Sequence, residues 1–186
     1  MNKALKTAHT LLALAIAAQA LDACAAVYTV GSGCTYASVQ NAVNAVPATG
    51  AHEIRITNTA TYIEQAISIS GRNVTLRGGY VNCSENTPSG GNSILSGEGG
   101  GNDSVLTIRG TSNNIILERL SLIRGDEVYD GYGGGVDFRG SGILTLRTTA
   151  LSQNYAGYGG GASVIGEGGN AVLRLESGTS ILLNNA

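Results

Sequence analysis

The stretch Gly131-Tyr132-Gly133-Gly134-Gly135-Val136-Asp137-Phe138 recurs as Gly157-Tyr158-Gly159-Gly160-Gly161-Ala162-Ser163-Val164, and this repeat decides the fold. Each copy runs on into a second apolar segment, Ile143-Leu144-Thr145-Leu146 or Val172-Leu173-Arg174-Leu175. A third follows, Leu151-Ser152-Gln153-Asn154 or Ile181-Leu182-Leu183-Asn184. Leu122-Ile123-Arg124-Gly125 stands in the same phase one unit earlier. The unit is about 26 to 30 residues long and holds three short strands, the size of one coil of a parallel β-helix. The second copy is about four residues longer, and the turn Gly166-Glu167-Gly168-Gly169-Asn170 absorbs the difference.

A strand of this length buries only its alternate side chains, so one coil cannot hold a core of its own. Stacking similar coils about 4.8 Å apart turns those side chains into continuous apolar columns. The reading is therefore an all-β, right-handed, single-stranded parallel β-helix with three strands per coil. Gly and Asn are expected at the corners, where left-handed backbone is wanted, with Asn154 and Asn184 laddered between coils.

Working outward, earlier runs fit the same scheme: Ile54-Arg55-Ile56, Ala66-Ile67-Ser68-Ile69, Val74-Thr75-Leu76, Val105-Leu106-Thr107-Ile108, Ile115-Ile116-Leu117 and Leu120-Ser121-Leu122. They alternate and are rich in β-branched residues, and no well-placed two-residue Asn-Gly turn pairs them into hairpins. Before them, after an extended entry at Val27-Tyr28-Thr29-Val30, Val39, Ala42, Val43 and Val46 fall at helical spacing ahead of Pro47. A helix from Tyr36 to Val46 would cover the exposed strand edge of the first coil. No comparable cap is read at the far end, so the solenoid is expected to continue beyond its last coil or to meet a partner there.

The first residues have a basic start, an apolar run from Leu11 to Ala18 and small residues at two sites, which is the pattern of a secretory signal over residues 1–26 with cleavage after 20 or 26. Residues 27–186 then form the β-helix, capped over 27–50. Later cleavage removes Cys24 and leaves Cys34 and Cys83 as a pair for a disulfide in an oxidising compartment; earlier cleavage leaves an odd thiol. A Cys34–Cys83 link would pin the cap. Both lysines, Lys3 and Lys6, lie in the first six residues, and His52 is the one histidine in the exported part. With a formal net charge of −2 and no clustered cations, a nucleic-acid surface is not expected.

The unit GGG-strand followed by Leu-x-x-Asn-x-Ala, over roughly residues 94–186, resembles the GGA and FxxN repeats of polymorphic outer membrane proteins and related bacterial surface proteins. The opening, Gly31-Ser32-Gly33-Cys34 through Thr35-Tyr36-Ala37-Ser38-Val39-Gln40 and on to Gly78-Gly79, is similar to the N-terminal cap of the pectin-lyase-like superfamily. The resemblance implies a secreted protein, extracellular or at the outer membrane or cell surface of a Gram-negative-like bacterium. It does not imply one activity, because that superfamily holds lyases, hydrolases, esterases and adhesins.

Tyr129, Tyr132, Tyr155 and Tyr158 flank the glycine corners, so Tyr132 and Tyr158 should stand in a row able to stack on sugar rings or grip a protein. The bland reading is a corner ladder packed on its own glycines. Asp126, Asp130 and Asp137, near Arg124 and Arg139, are the catalytic candidates under an alternative reading as a lyase or hydrolase of acidic polysaccharide such as pectin. Only under that alternative is a Ca²⁺ cofactor expected. Surface or turn roles for these acids are the simpler account, because Ala162-Ser163-Val164 replaces Val136-Asp137-Phe138 in the next coil. The loop from Gly97 to Asp103 lacks the Lys and Ser/Thr of a phosphate loop and reads as a turn, with no metal site assigned. Arg77, Arg109, Arg119, Arg124, Arg147 and Arg174 alternate with apolar residues and are expected to face solvent, and His52 is read as a loop residue. The functional expectation is a non-enzymatic structural or adhesive segment that binds polysaccharide or a surface protein through its lateral face.

Overall fold

The computed structural model describes residues 25–63, 66–99 and 103–186. Residues 1–24, with nearly all of the expected signal segment, lie outside them. The described chain is a parallel β-solenoid of about five turns. Its elements in order are β1 (Val27–Val30), α1 (Val39–Ala45), β2 (Ala51–Thr57), β3 (Thr61–Ile63), β4 (Ile67–Ser70), β5 (Asn73–Tyr80), β6 (Ser93–Ser96) and β7 (Leu106–Glu118). Then come β8 (Leu120–Ile123), β9 (Asp126–Tyr132), β10 (Val136–Arg147), β11 (Ala150–Ser152), β12 (Tyr155–Tyr158), β13 (Ala162–Leu175) and β14 (Ser180–Leu182).

Every strand pairs in parallel with its counterparts in neighbouring coils. One sheet runs β1-β2-β5-β7-β10-β13 with β4 also on β7, a second runs β14-β11-β8-β6-β3, and β12 pairs with β9. The repeat supplies the register: Val136 sits against Ala162, Leu144 against Leu173, Leu151 against Ile181 and Leu122, and Tyr158 against Tyr132. The extra residues of the last coil enter at two places. Most lie at the bend, where Gly140 pairs with Gly166 but Gly142 with Ala171, and the remainder lie in the turn before Ser180.

Two expectations about strands and corners change. The runs read as separate strands, 105–108 with 115–117 and 136–138 with 143–146, are halves of single bent strands, β7 and β10. Neighbouring coils bend at the same place, and the buried Asn113 fastens the bend by donating to the carbonyls of Arg109, Gly110 and Ser141. Some left-handed corners are filled by neither Gly nor Asn: Gln153 and Leu183, each just before a laddered asparagine, and Arg124, just before Gly125, have φ of 58°, 57° and 56°. Backbone pairing between coils helps hold this geometry at modest local strain, as where the Gln153 N–H donates to the Leu183 carbonyl at 3.0 Å.

The core consists of columns. Leu76, Leu117 and Leu146 stack in register, as do Leu95, Leu122 and Leu151, all fully buried. Each such leucine contributes about 1.5–3 kcal/mol by leaving water. The helix is shorter than expected. Ser38 begins it by accepting from the Asn41 N–H at 3.1 Å, and Val46, extended as a residue before proline prefers, ends it. Arg72 donates to the Val43 carbonyl at 2.8 Å, which also accepts from the Val46 N–H, and to the carbonyl of Val46, tying the helix end to the next coil. Val39, Ala42, Val43 and Val46 are buried against the first coil, and the Cys34–Cys83 disulfide, Cα atoms 5.3 Å apart, ties the segment leading into the helix to the turn after β5.

His52 is not a loop residue. It lies in β2, 4% exposed, accepting from the Ala26 N–H through Nδ1 and donating from Nε2 to the Thr49 carbonyl. The arginines also depart from the expectation: of those read as facing solvent, only Arg124 and Arg174 are exposed. Arg55, Arg77, Glu118, Arg147 and Glu176 form one column down the solenoid, with Glu53 alongside. Glu118 takes Arg77 at 3.2 Å and Arg147 at 3.3 Å, and Arg147 also reaches Glu176 at 2.6 Å. Burial works against the Arg77 charge, but Glu53, the Tyr80 hydroxyl and Glu118 outweigh it and raise its pKa.

Candidate functional site

The two glycine motifs build the site. At Gly133 the backbone turns left-handed, φ 65°, and Gly159 repeats the turn one coil on at 67°. A Cβ on Gly134 would strike the Tyr155 carbonyl, and one on Gly135 would meet the Gly161 carbonyl and come 2.9 Å from Asn154 Nδ2. The triplet thus lets the returning chain lie directly on the asparagine corner. Gly133 N–H donates to the Tyr158 carbonyl at 2.8 Å, which fixes the two tyrosines one above the other.

Their rings stack with centroids 4.9 Å apart and planes 21° off parallel. Tyr158 is 54% exposed, while Tyr132 is half-buried, with the Arg139 guanidinium 4.4 Å from its ring centroid. Arg139 also donates to Asp137 at 3.2 Å, and Arg109, in register with Arg139 on the neighbouring coil, donates to the same carboxylate at 2.6 Å and to the Asp137 carbonyl at 3.0 Å. Asp137 is 1% exposed. Its charge separates two guanidiniums that would otherwise repel across adjacent strands. The result is a row of Arg109, Arg139, Tyr132 and Tyr158 along the lateral face, with donors at one end and an open aromatic ring at the other.

The remaining candidates are placed differently. Tyr155, 42% exposed, pairs in register with Asp126 and lines a separate shallow groove of about 520 Å³ with Arg124, Gly125, Asp126 and Gln153. The side chains of Tyr129 and Asp130 lie outside those described. Asp137 does share a face with Arg139, as its spacing implied, but is not brought together with Asp126 in that groove. Glu127, half-buried near the tyrosine turn, is held above the usual carboxylate range by burial and by the charges of Asp103 and Asp137, against lowering contributions from a hydrogen bond with the Ser104 backbone and from Arg139. Arg124 pairs with Glu98 on the preceding turn.

No cluster of three or more metal-ligating side chains occurs among the described residues, and no described helix is long and apolar enough to cross a membrane. Arg109 escaped the sequence reading as a member of the site, although its offset from Arg139 by one coil carried the signal. The chain matches no protein-family model, and searches of curated proteins and of solved structures find no match either.

Proposed function

We propose that this chain is a structural, adhesive segment of a secreted or surface-exposed β-helix, and that its lateral face binds glycan through Tyr158 and Tyr132. The observation that carries the reading is the stacked pair of rings, one half-open to solvent, continued by Arg139 and Arg109. An exposed ring offers an apolar platform to the C–H face of a sugar, and guanidinium donors beside it suit hydroxyl or carboxylate oxygens. Repetition along the axis matches the repetition of a polysaccharide better than the contour of one small ligand. The disulfide fits an oxidising compartment. The resemblance to the pectin-lyase-like superfamily and to polymorphic outer membrane protein repeats fits the same role.

The alternative, a lyase or hydrolase using Asp126, Asp130 and Asp137, meets a physical difficulty. An acid or base must reach the substrate, whereas the Asp137 carboxylate is buried between two guanidiniums. Affinity electrophoresis in gels cast with pectic, other acidic and neutral polysaccharides tests the proposal. Retardation by at least one polymer, lost in Tyr158→Ala and accompanied by no release of unsaturated or reducing ends with or without calcium, is the expected result. Mobility unaffected by every polymer, or by the substitution, would remove the aromatic row as a binding surface. Strand cleavage would establish the enzyme.

A further inference from the structure

We propose that the outer edge of the last coil, residues 157–186, is a docking surface for one more β-coil of the same pattern, supplied by polypeptide outside residues 1–186 and laid parallel, with an arginine against Glu176 and an asparagine against Asn184. Three features of the edge specify that partner.

The first is the core. Leu175 continues the column of Leu76, Leu117 and Leu146, and Ile181 continues that of Leu95, Leu122 and Leu151. Their predecessors are fully buried, yet Leu175 is 54% and Ile181 37% exposed. These side chains point inward, so what covers them must place its own apolar residues in the same columns.

The second is charge. The column alternates Glu118, Arg147, Glu176, and Glu176 meets Arg147 on one side only. A positive side chain is the next member.

The third is the asparagine corner. Asn154 gives its backbone N–H and its Nδ2 to Asn184 Oδ1, at 3.1 and 2.9 Å, while the same Nδ2 reaches the Leu122 carbonyl. Asn184 already repeats the last of these, donating to the Leu151 carbonyl at 2.9 Å. An incoming asparagine would accept from Asn184 as Asn184 accepts from Asn154.

A second copy of the chain fits poorly. Two open edges related by a two-fold axis would run antiparallel and lose both the asparagine ladder and the charge alternation. Head-to-tail stacking is blocked, because α1 covers the opposite edge and the disulfide holds the segment leading into it.

A peptide with the sequence of residues 131–156 carries the complementary pattern, bringing its arginine (Arg147) to Glu176 and its asparagine (Asn154) to Asn184. The expected result is saturable binding to the full chain, weakened about tenfold by Asn154→Ala and severalfold by Arg147→Glu within the peptide. Because one coil orders itself only on binding, the same segment is also fused after Ala186, where the unfolding midpoint should rise and both substitutions should cancel most of the rise. Binding in trans, or a raised midpoint in the fusion, with that sensitivity supports the proposal. Failure of both, equal performance of the substituted segments, or a stable two-fold dimer that the segment does not dissociate overturns it.

Discussion

Asn154 Nδ2 donates to Asn184 Oδ1 at 2.9 Å across the gap between two coils, and the same amide accepts from the Gly125 N–H at the equivalent corner of the preceding coil. Asn154 is 1% exposed, so these bonds are made out of water. The asparagine of the repeat and its glycine triplet are therefore one device: the glycines make room for the amide, and the amide pays back the backbone groups that the close approach buries.

Replacing Asn154 by Ala leaves the Gly125 N–H and the Leu122 carbonyl buried without this partner. A loss of about 2–4 kcal/mol is expected, read as a lowered midpoint in chemical denaturation. A loss under about 0.5 kcal/mol, the range of ordinary surface changes, would contradict the role.

A glycine of the triplet should differ sharply from an open one such as Gly91. Gly135→Ala drives a Cβ into the Gly161 carbonyl and Asn154, and is expected to cost about 1–3 kcal/mol or prevent folding. Gly91→Ala meets nothing within 4 Å and should leave the midpoint nearly unchanged. Thermal melts of the two variants side by side provide the check.

Glu118 joins two arginines that are themselves partly exposed, with side-chain exposures of 28% for Arg77 and 40% for Arg147. Solvent screening keeps each pair modest, so Glu118→Gln should cost about 1 kcal/mol at low salt. The difference from the unsubstituted chain should shrink as ionic strength rises and the Debye length falls. A cost independent of salt would show that packing, not charge, is at work.

Glu127 sets a pH dependence with a definite sign. Its pKa in the folded chain is raised, by burial first and then by Asp103 and Asp137. The folded state therefore holds the proton more tightly than the unfolded chain, and the associated stability is present below the ordinary carboxylate range and lost as pH climbs through the raised value. Glu127→Gln removes that loss. Denaturation midpoints collected from acidic to neutral pH should show the variant gaining on the unsubstituted chain as pH rises through this window, and the reverse trend would refute the assignment.

The repeat was legible because a solenoid writes its contacts at a constant offset. Tyr132 over Tyr158 and Asn154 over Asn184 are both found by aligning the two copies. The ion ladder was open to the same treatment, since Glu118, Arg147 and Glu176 follow at intervals of 29 residues. It was missed because an arginine alternating with leucines looks solvated when its strand is viewed alone. His52 was misplaced for a related reason, as the strand holding it begins at Ala51, in a turn-like sequence context.

Taken alone, the amino-acid order determined the stacking itself: that the repeat forms parallel coils, that equivalent positions of its two copies oppose one another, and that a helix precedes the first coil. Local periodicity and a constant repeat length suffice for that, because every contact in the ladder joins equivalent positions. Only the tertiary structure decided that Asp137 is a buried counter-ion, that Tyr155 looks into a different groove from Tyr158, and that left-handed corners are held by Arg124, Gln153 and Leu183. Those outcomes depend on where bends and turns aim each side chain, which pairing across coils imposes and no single segment encodes.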